Sequence, residues 1–288
     1  VSVKSLVWPP VPELADAGYE EPATWDEMLA VSEEIRAAGT PPWCLGIGSG
    51  ASTGWPVTDW IEDILLRTAG PEAYDRWVAG ELPFSSPEVT QAAELFAEIA
   101  FTEGNVLGGR STIPTQQFGD APLPLFDDPP GCYLHRQASF ITEFFPEDAV
   151  LGEDVDFFYL PPIPAVGEYD GSPVLGAGDY ASLFTDNQGA EQLIQFLATP
   201  EAGEPWAADG GFLSPHATFD ASVYPEELSV EQAEILSGAD AFRFDASDLM
   251  PPEVGVGTFW TEMVAWVNGE KELEDALQAI DESWPTSG

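Results

Sequence analysis

The chain has 288 residues, and its 51 Asp and Glu against 8 Lys and Arg give a formal net charge of −43. A surface this acidic repels nucleic-acid phosphates and anionic lipid head groups, which excludes both as expected partners. It also repels itself, and dissolved salt screens that repulsion. We therefore predict a salt-adapted protein, with an ordinary acidic secreted protein as the alternative.

The two cysteines, Cys44 and Cys132, each stand beside an apolar stretch that predicts a strand. They would be buried thiols in a reducing compartment, whereas outside the cell neighbouring strands would let them form a disulfide. Only His135 and His216 could join them as ligands, which gives no zinc spacing, and we expect no metal and no cofactor. The chain opens on Val1 within a strand pattern, which predicts that it is part of a longer protein.

Apolar runs and turn residues divide the chain into alternating strands and helices. Strands are predicted over 1–8, 43–47, 132–134, 155–160 and 174–184. Capping boxes at Thr24 and Ser229 mark two helix starts, because each has Glu or Gln three residues later. Further helices are predicted over 55–68, from 87, over 137–145, over 186–208 with a break at Pro200, over 260–268 and over 270–280. This alternation predicts the α/β class, with a boundary in the Pro- and Gly-rich stretch 161–172.

The stretch 129–141 places three polar residues, His135, Arg136 and Gln137, at the end of a short apolar strand. In α/β folds, ligands bind beyond the carboxyl ends of strands. An Arg between apolar residues also needs a partner. Two interpretations therefore stay open at this point. Either Arg136 pairs with one of the many carboxylates, or the guanidinium and the Gln137 amide line a cleft for a polyhydroxylated ligand.

An ordered set of motifs resembles the second lobe of sugar-binding proteins of ABC importers. The set is KSLVW at 4–8, PATWDE at 22–27, GWPVTDW at 54–60, GCYLHRQASF at 131–140, PVLGAGD at 173–179 and GTFWTEMVAWVNG at 257–269. It is most similar to the α-glucoside-binding branch of extracellular solute-binding family 1, which is related more distantly to maltose-binding protein. The resemblance implies a two-lobed, periplasmic-binding-protein-like fold of type II that lacks an N-terminal half-lobe.

The same resemblance implies how the chain divides between the lobes. It assigns 1–164 to the second lobe and 165–230 to part of the first lobe. It then returns 231–256 to the second lobe and gives the C-terminal helices of 257–288 to the first lobe.

Aromatic candidates for the site follow from the chemistry of sugars, whose C–H faces pack on flat apolar rings. Trp55 follows a Gly/Ser loop at a predicted helix start, so its ring faces either the cleft or the core. The resemblance favours Trp260 as a stacking residue, with Phe259 second.

Polar candidates supply hydrogen bonds to paired hydroxyl groups. The resemblance places Arg136 and Gln137 in the cleft, beside His135, which is otherwise interpreted as a structural histidine. Asp179 follows a Gly-Ala-Gly run that permits close backbone approach, with a plain turn carboxylate as its alternative. Weaker candidates are Asp245, Ser247, Asp248, Gly211 and Phe212.

The function implied is that of a carbohydrate-binding protein, not an enzyme. Such a protein closes its lobes on an α-glucoside or similar oligosaccharide and delivers it to a membrane permease. It would be an extracellular or periplasmic monomer, held at the membrane through an N-terminal lipid. Two alternatives remain, a secreted glycoside hydrolase and an acidic surface protein without a small ligand. Paired carboxylates cannot support the hydrolase, because 51 acidic residues produce such pairs by chance.

Overall fold

The computed structural model describes residues 1–163 and 169–285. Its strands are β1 (Ser2–Val3), β2 (Leu6–Trp8), β3 (His135–Arg136), β4 (Phe158–Tyr159), β5 (Pro173–Ala177) and β6 (Ala241–Phe244). Its α-helices are α1 (Val11–Asp16), α2 (Trp25–Ala38), α3 (Trp55–Val78), α4 (Pro87–Ala100), α5 (Gln188–Leu197), α6 (Pro200–Asp209), α7 (Glu227–Gly238), α8 (Ala246–Leu249), α9 (Trp260–Val267) and α10 (Leu273–Glu282). None of the described helices is both long enough and apolar enough to cross a bilayer.

Two three-stranded sheets organise these elements. Sheet A has the order β1-β5-β6, with β1 antiparallel and β6 parallel to β5. Sheet B has the order β3-β2-β4, with both neighbours antiparallel to β2. The chain passes between the sheets at Lys4 and Ser5, which we call the first crossing. The second crossing joins β4 to β5, and the third leaves β6 at Asp245 and leads into α8.

Local capping chemistry explains where α2 begins and ends. The Thr24 hydroxyl accepts a hydrogen bond from the Glu27 amide at 3.2 Å, and the Glu27 carboxylate accepts one from the Ala23 amide at 2.8 Å. Gly39 then ends the helix at φ 102°, in the left-handed region that glycine adopts without a steric penalty. The predicted capping box is confirmed. The helix predicted from residue 87 is confirmed as well, because α4 begins at Pro87 with the Ser86 side chain as its cap.

Several predicted strands and boundaries are wrong, because strands depend on distant partners. The strand expected over 43–47 is limited to isolated pairings at Trp43 and Gly48. The strand expected over 132–134 forms instead at His135–Arg136, where β2 provides hydrogen bonds. The following segment is a 3₁₀ helix, Ser139–Phe144, and not an α-helix.

Helix boundaries also differ from the predictions in two places. Helix α3 continues beyond residue 68 to Val78, through a kink at Gly70 and Pro71. Helix α7 begins at Glu227, two residues before the Ser229 that was expected to cap it.

A core rich in tryptophan packs α3 against α4, α9 and α10. The Trp60 ring lies 5.5 Å from Trp43 and 5.9 Å from Phe96, centre to centre. Phe259 enters the same core, 4.8 Å from Phe84. The C-terminal helices, which the resemblance assigns to the first lobe, therefore pack on α3 and α4 of the second. The predicted boundary between residues 164 and 165 lies outside the described residues, and the division into lobes stays a prediction.

The disulfide left open above is present, and it joins Cys44 to Cys132 with Cα atoms 5.6 Å apart. Both cysteines are buried in a second apolar cluster, between sheet B and the start of sheet A. The bond ties the segment before α3 to the strand β3 region.

Candidate functional site

Two half-buried tryptophans, Trp55 and Trp260, begin helices α3 and α9, and the two helix starts lie close together at Gly54. Gly54 precedes Trp55, and a Cβ atom built on Gly54 would lie 2.9 Å from the Cβ of Trp260. Gly54 also has φ +119°, a conformation that side chains disfavour. Glycine at this position is therefore what lets the two helix starts approach, and it brings the Trp260 backbone and Cβ against the residue that precedes Trp55.

Three phenylalanines extend the surface on which Trp55 lies. The Trp55 ring is 5.1 Å from Phe118 and 6.0 Å from Phe140, and Phe118 is 5.1 Å from Phe144. Phe144 is 41% exposed, and the other rings are half-buried. We call Trp55, Phe118, Phe140 and Phe144 the aromatic ledge. The three phenylalanines are not among the site residues predicted from the sequence, although the concentration of phenylalanine in 118–145 is a visible signal.

The lysine of the first crossing lies beneath this ledge. The Lys4 Nζ atom is 5.1 Å from the centre of the Trp55 ring, a cation–π distance. It also donates to Asp59 at 2.9 Å and pairs with Asp245 at 2.6 Å. Burial lowers the pKa of Lys4, but the two carboxylates outweigh it, so the net shift is upward and the ammonium stays charged. The Lys4 ammonium therefore packs against the buried face of the Trp55 ring and holds it in place.

The three polar residues singled out in the sequence are all buried and have protein partners. Arg136 Nη2 lies 2.8 Å from the Asp63 carboxylate, which is the ion-pair interpretation left open above. The Gln137 side chain accepts from the Ala138 amide at 2.8 Å. Because none of these side chains reaches a surface, direct contact with a ligand is not part of the proposal below.

His135 is held as a neutral group. Its Nδ1 atom lies 2.9 Å from the carbonyl oxygen of Cys44, so the proton on Nδ1 is donated to that oxygen. Burial, and to a smaller extent the nearby Arg136 guanidinium, lower the pKa of His135 from 6.5 to about 4, although the hydrogen bond to Cys44 acts in the opposite direction. Its position beside Cys44 gives His135 a structural role.

The remaining candidates fall in different places. Phe259 is fully buried in the core, which is the physical reason it cannot stack on a ligand. Asp179 is exposed and lines a cavity of about 410 Å³ with Tyr180, Trp206 and Phe212. The Trp206 and Phe212 rings stack there at 4.8 Å. Of the weaker candidates, Asp245 and Ser247 are buried and Asp248 is exposed.

One group of carboxylates has oxygens close enough together to be tested as a metal site. The nearest oxygens of Asp59, Glu62 and Asp245 lie within 4.8 Å of one another. Lys4 already neutralises two of the three, since its ammonium contacts Asp59 and Asp245. We therefore assign these residues to an ion-pair network and not to metal binding.

The chain is similar to proteins of known class over nearly its whole length. It matches the family model of bacterial extracellular solute-binding proteins over residues 10–204. It is 48% identical over 284 residues to the alpha-glucosides-binding periplasmic protein AglE of Rhizobium meliloti, covering 99% of this chain and 62% of AglE. It is 49% identical over 284 residues to the osmoprotective compounds-binding protein GgtB of Synechocystis sp., covering 99% of this chain and 66% of GgtB. The chain thus spans less than two thirds of the length of either relative.

A solved structure shares the fold at lower identity. A chitin oligosaccharide binding protein superimposes with a TM-score of 0.75, covering 98% of this chain and 68% of its own, at 19% identity. This similarity confirms the predicted fold class, the two-lobed periplasmic-binding-protein-like fold of type II.

Proposed function

Because the chain belongs to the bacterial extracellular solute-binding proteins, we propose that it binds an α-glucoside or similar oligosaccharide and delivers it to the permease of an ABC importer. The relative that is 48% identical over 284 residues is named for binding alpha-glucosides. Nothing in the sequence or the structure favours the glycoside hydrolase.

The observation that carries this proposal is the close approach at Gly54 of two helix starts, one beginning with Trp55 and the other with Trp260. Two partly exposed indoles offer flat apolar faces to the C–H faces of sugar rings. The aromatic ledge extends that surface beyond one ring. We propose these five side chains as the wall of the sugar site on this side of the cleft.

The opposite wall, in this proposal, comes from the segment that follows β5. Asp179 and Tyr180 are exposed there, and the Tyr180 ring packs 5.2 Å from Phe244. Phe244 precedes Asp245, which pairs with the Lys4 beneath Trp55. A continuous run of contacts therefore leads from one proposed wall to the other, beneath the crossings.

Lobe closure is the proposed mechanism. In a division that departs from the one the resemblance implies, sheet A with α5 and α6 would form one lobe, and sheet B with α1, α2, α3, α4, α9 and α10 the other, because α9 packs on α3 and α10 on α4. A sugar held by both walls binds the closed state better than the open state, and this difference in affinity drives closure. The closed protein would then dock on the permease as a monomer, in the periplasm or at the cell exterior, with an N-terminal lipid as its anchor.

A second ligand class is supported by the relative named for osmoprotective compounds, which is 49% identical over 284 residues. A net charge of −43 would suit a protein that works in concentrated salt, where such solutes are needed.

Calorimetry of the full-length protein tests these proposals. We expect saturable binding of at least one of the α-glucosides maltose, trehalose and sucrose. Saturable binding of glycine betaine alone would favour the osmoprotectant class, and a flat titration with all four would contradict both. Release of reducing sugar from trehalose or sucrose would instead support the hydrolase.

A further inference from the structure

Helix α3 carries a row of four buried charged residues on one face. Counted from the first of them, the others follow after three, four and eight residues, a spacing that places all four side chains on one face of the helix. They are Asp59, Glu62, Asp63 and Arg67. Each is at most 2% exposed. We call these four residues the polar row. Buried charges in this number are costly unless each has a specific partner.

Two members of the polar row hold the first crossing. Asp59 accepts from the Lys4 ammonium at 2.9 Å, and Asp63 accepts from the Ser5 hydroxyl at 3.0 Å. The Ser5 hydroxyl in turn accepts from the Leu175 amide of β5 at 3.1 Å. The two residues between the sheets are thus fastened to α3 on one side and to sheet A on the other.

The other two members hold the second and third crossings. Arg67 donates to the carbonyl oxygen of Leu160, directly after β4, at 3.1 Å. Glu62 accepts from the amides of Ala246 at 3.0 Å and Ser247 at 3.2 Å, directly after Asp245. Each of the three crossings is therefore bound to this one helix face through residues that the structure describes.

The charges in this network do not balance around Glu62. Lys4 contacts Asp59 and Asp245, whereas Arg67 and Arg136 contact Asp63. Within the described part of the chain, no cation forms an ion pair with Glu62.

The titratable groups that face Glu62 come from three elements. They are Asp59 and Tyr74 on α3, Lys4 on the first crossing and Asp245 on the third. Two of them are carboxylates whose oxygens lie within 4.8 Å of those of Glu62, and like charges at that distance in a buried site cannot all be ionised. Burial first, and the Asp59 charge second, raise the pKa of Glu62, whereas Lys4 and the hydrogen bonds from Ser247 lower it, and the net result is a pKa of about 7.

We propose that the polar row is the pivot on which the lobes turn, and that Glu62 is partly protonated near pH 7 while the third crossing is bound to it as here. Closing or opening the cleft moves Asp245 and the Ala246 amide relative to Glu62, so the lobe rotation is accompanied by uptake or release of a proton at Glu62. This inference rests on the proposed function, since it concerns the motion by which that function operates. Sugar affinity is then linked to pH.

Calorimetry of the full-length protein in buffers of different ionisation enthalpy tests the linkage. We expect a net proton exchange on binding near pH 7, with an affinity that changes by at most about tenfold per pH unit. Glu62→Gln abolishes the exchange, and Glu94→Gln, an equal charge change at an exposed position of α4, keeps it. Binding without proton exchange in the unmodified protein would overturn the proposal.

Two further arms keep the outcome decisive. If Glu62→Gln does not fold, Asp245→Asn provides a second variant, because it removes one repelling carboxylate. We expect the midpoint of the pH dependence of sugar affinity to move to lower pH, and an unchanged midpoint contradicts the proposal.

If no sugar binds, the proposed function fails by itself. Infrared spectroscopy of the ligand-free protein then reports on Glu62, because we expect a protonated carboxyl band at about pH 6 that Glu62→Gln removes and Glu94→Gln leaves unchanged. Absence of that band would overturn the proposal.

Discussion

The Lys4 ammonium lies 2.6 Å from the Asp245 carboxylate, although the two residues stand near opposite ends of the chain. One belongs to the first crossing and the other to the third, and both are buried. The ion pair therefore ties two of the connections between the sheets directly to each other, below the Trp55 ring.

Removing this cation is expected to destabilise the protein strongly. Lys4→Met leaves the Asp59 and Asp245 carboxylates buried without their partner, which costs about 3–5 kcal/mol of unfolding free energy. Lys271→Met is the matched control, because Lys271 pairs with Glu262 at a site that is one third exposed, and it costs under about 1 kcal/mol. Urea denaturation measures both, and equal losses would contradict the role given to Lys4.

Breaking the disulfide is expected to cost about 3–5 kcal/mol. Cys44 and Cys132 are separated by 88 residues, and a cross-link over so long a loop removes much conformational entropy from the unfolded chain. The double variant Cys44→Ser, Cys132→Ser should unfold at lower urea, and reducing agent should lower the midpoint of the unmodified protein only. A variant as stable as the parent would show that the bond contributes nothing.

The lowered pKa of His135 leads us to expect that the protein loses stability in acid. Its pKa is about 4 in the folded protein and 6.5 when unfolded, so the unfolded chain binds more protons between those values. Its contribution, about 2–3 kcal/mol, is complete above about pH 6.5 and is lost as the pH falls towards 4. His135→Asn can still donate to the Cys44 carbonyl and should flatten this part of the stability profile, whereas His216→Asn should not. Parallel profiles for all three proteins would contradict the assignment.

Salt is expected to stabilise the protein. With a net charge of −43, self-repulsion extends over about 30 Å at 0.01 M salt and about 3 Å at 1 M. We expect thermal unfolding to shift to higher temperature across that range and small-angle scattering to show a more compact molecule. Equal stability and equal dimensions at both concentrations would contradict salt adaptation.

Helix ends were predictable because their chemistry is local. Thr24 and Glu27 cap α2 with atoms only a few residues apart, and Ser86 does the same for α4. Strand positions were not predictable in this way. The apolar run at 132–134 favoured a strand there, but β2 hydrogen-bonds to His135 and Arg136 instead.

The site was predicted in part for the same reason. Trp55 and Trp260 stand at helix starts, which local signals locate, although the close approach of Trp260 to Gly54 depends on the whole fold. Arg136 could not be decided from sequence, because its partner Asp63 lies on another element. The helix that carries the polar row was predicted, but the burial of these charged residues was not, because charged residues on one helix face more often mark a solvated surface.

The central claim, a sugar site at Trp55 and Trp260, is tested most directly by titrating the full-length protein with its best-binding disaccharide. Trp260→Ala and Trp55→Ala should each weaken binding at least about tenfold, because each removes a stacking face. Trp284→Ala, the matched control at a half-buried tryptophan in the C-terminal region, should leave affinity unchanged. Unaltered affinity in both site variants, with the control behaving as expected, would contradict the claim.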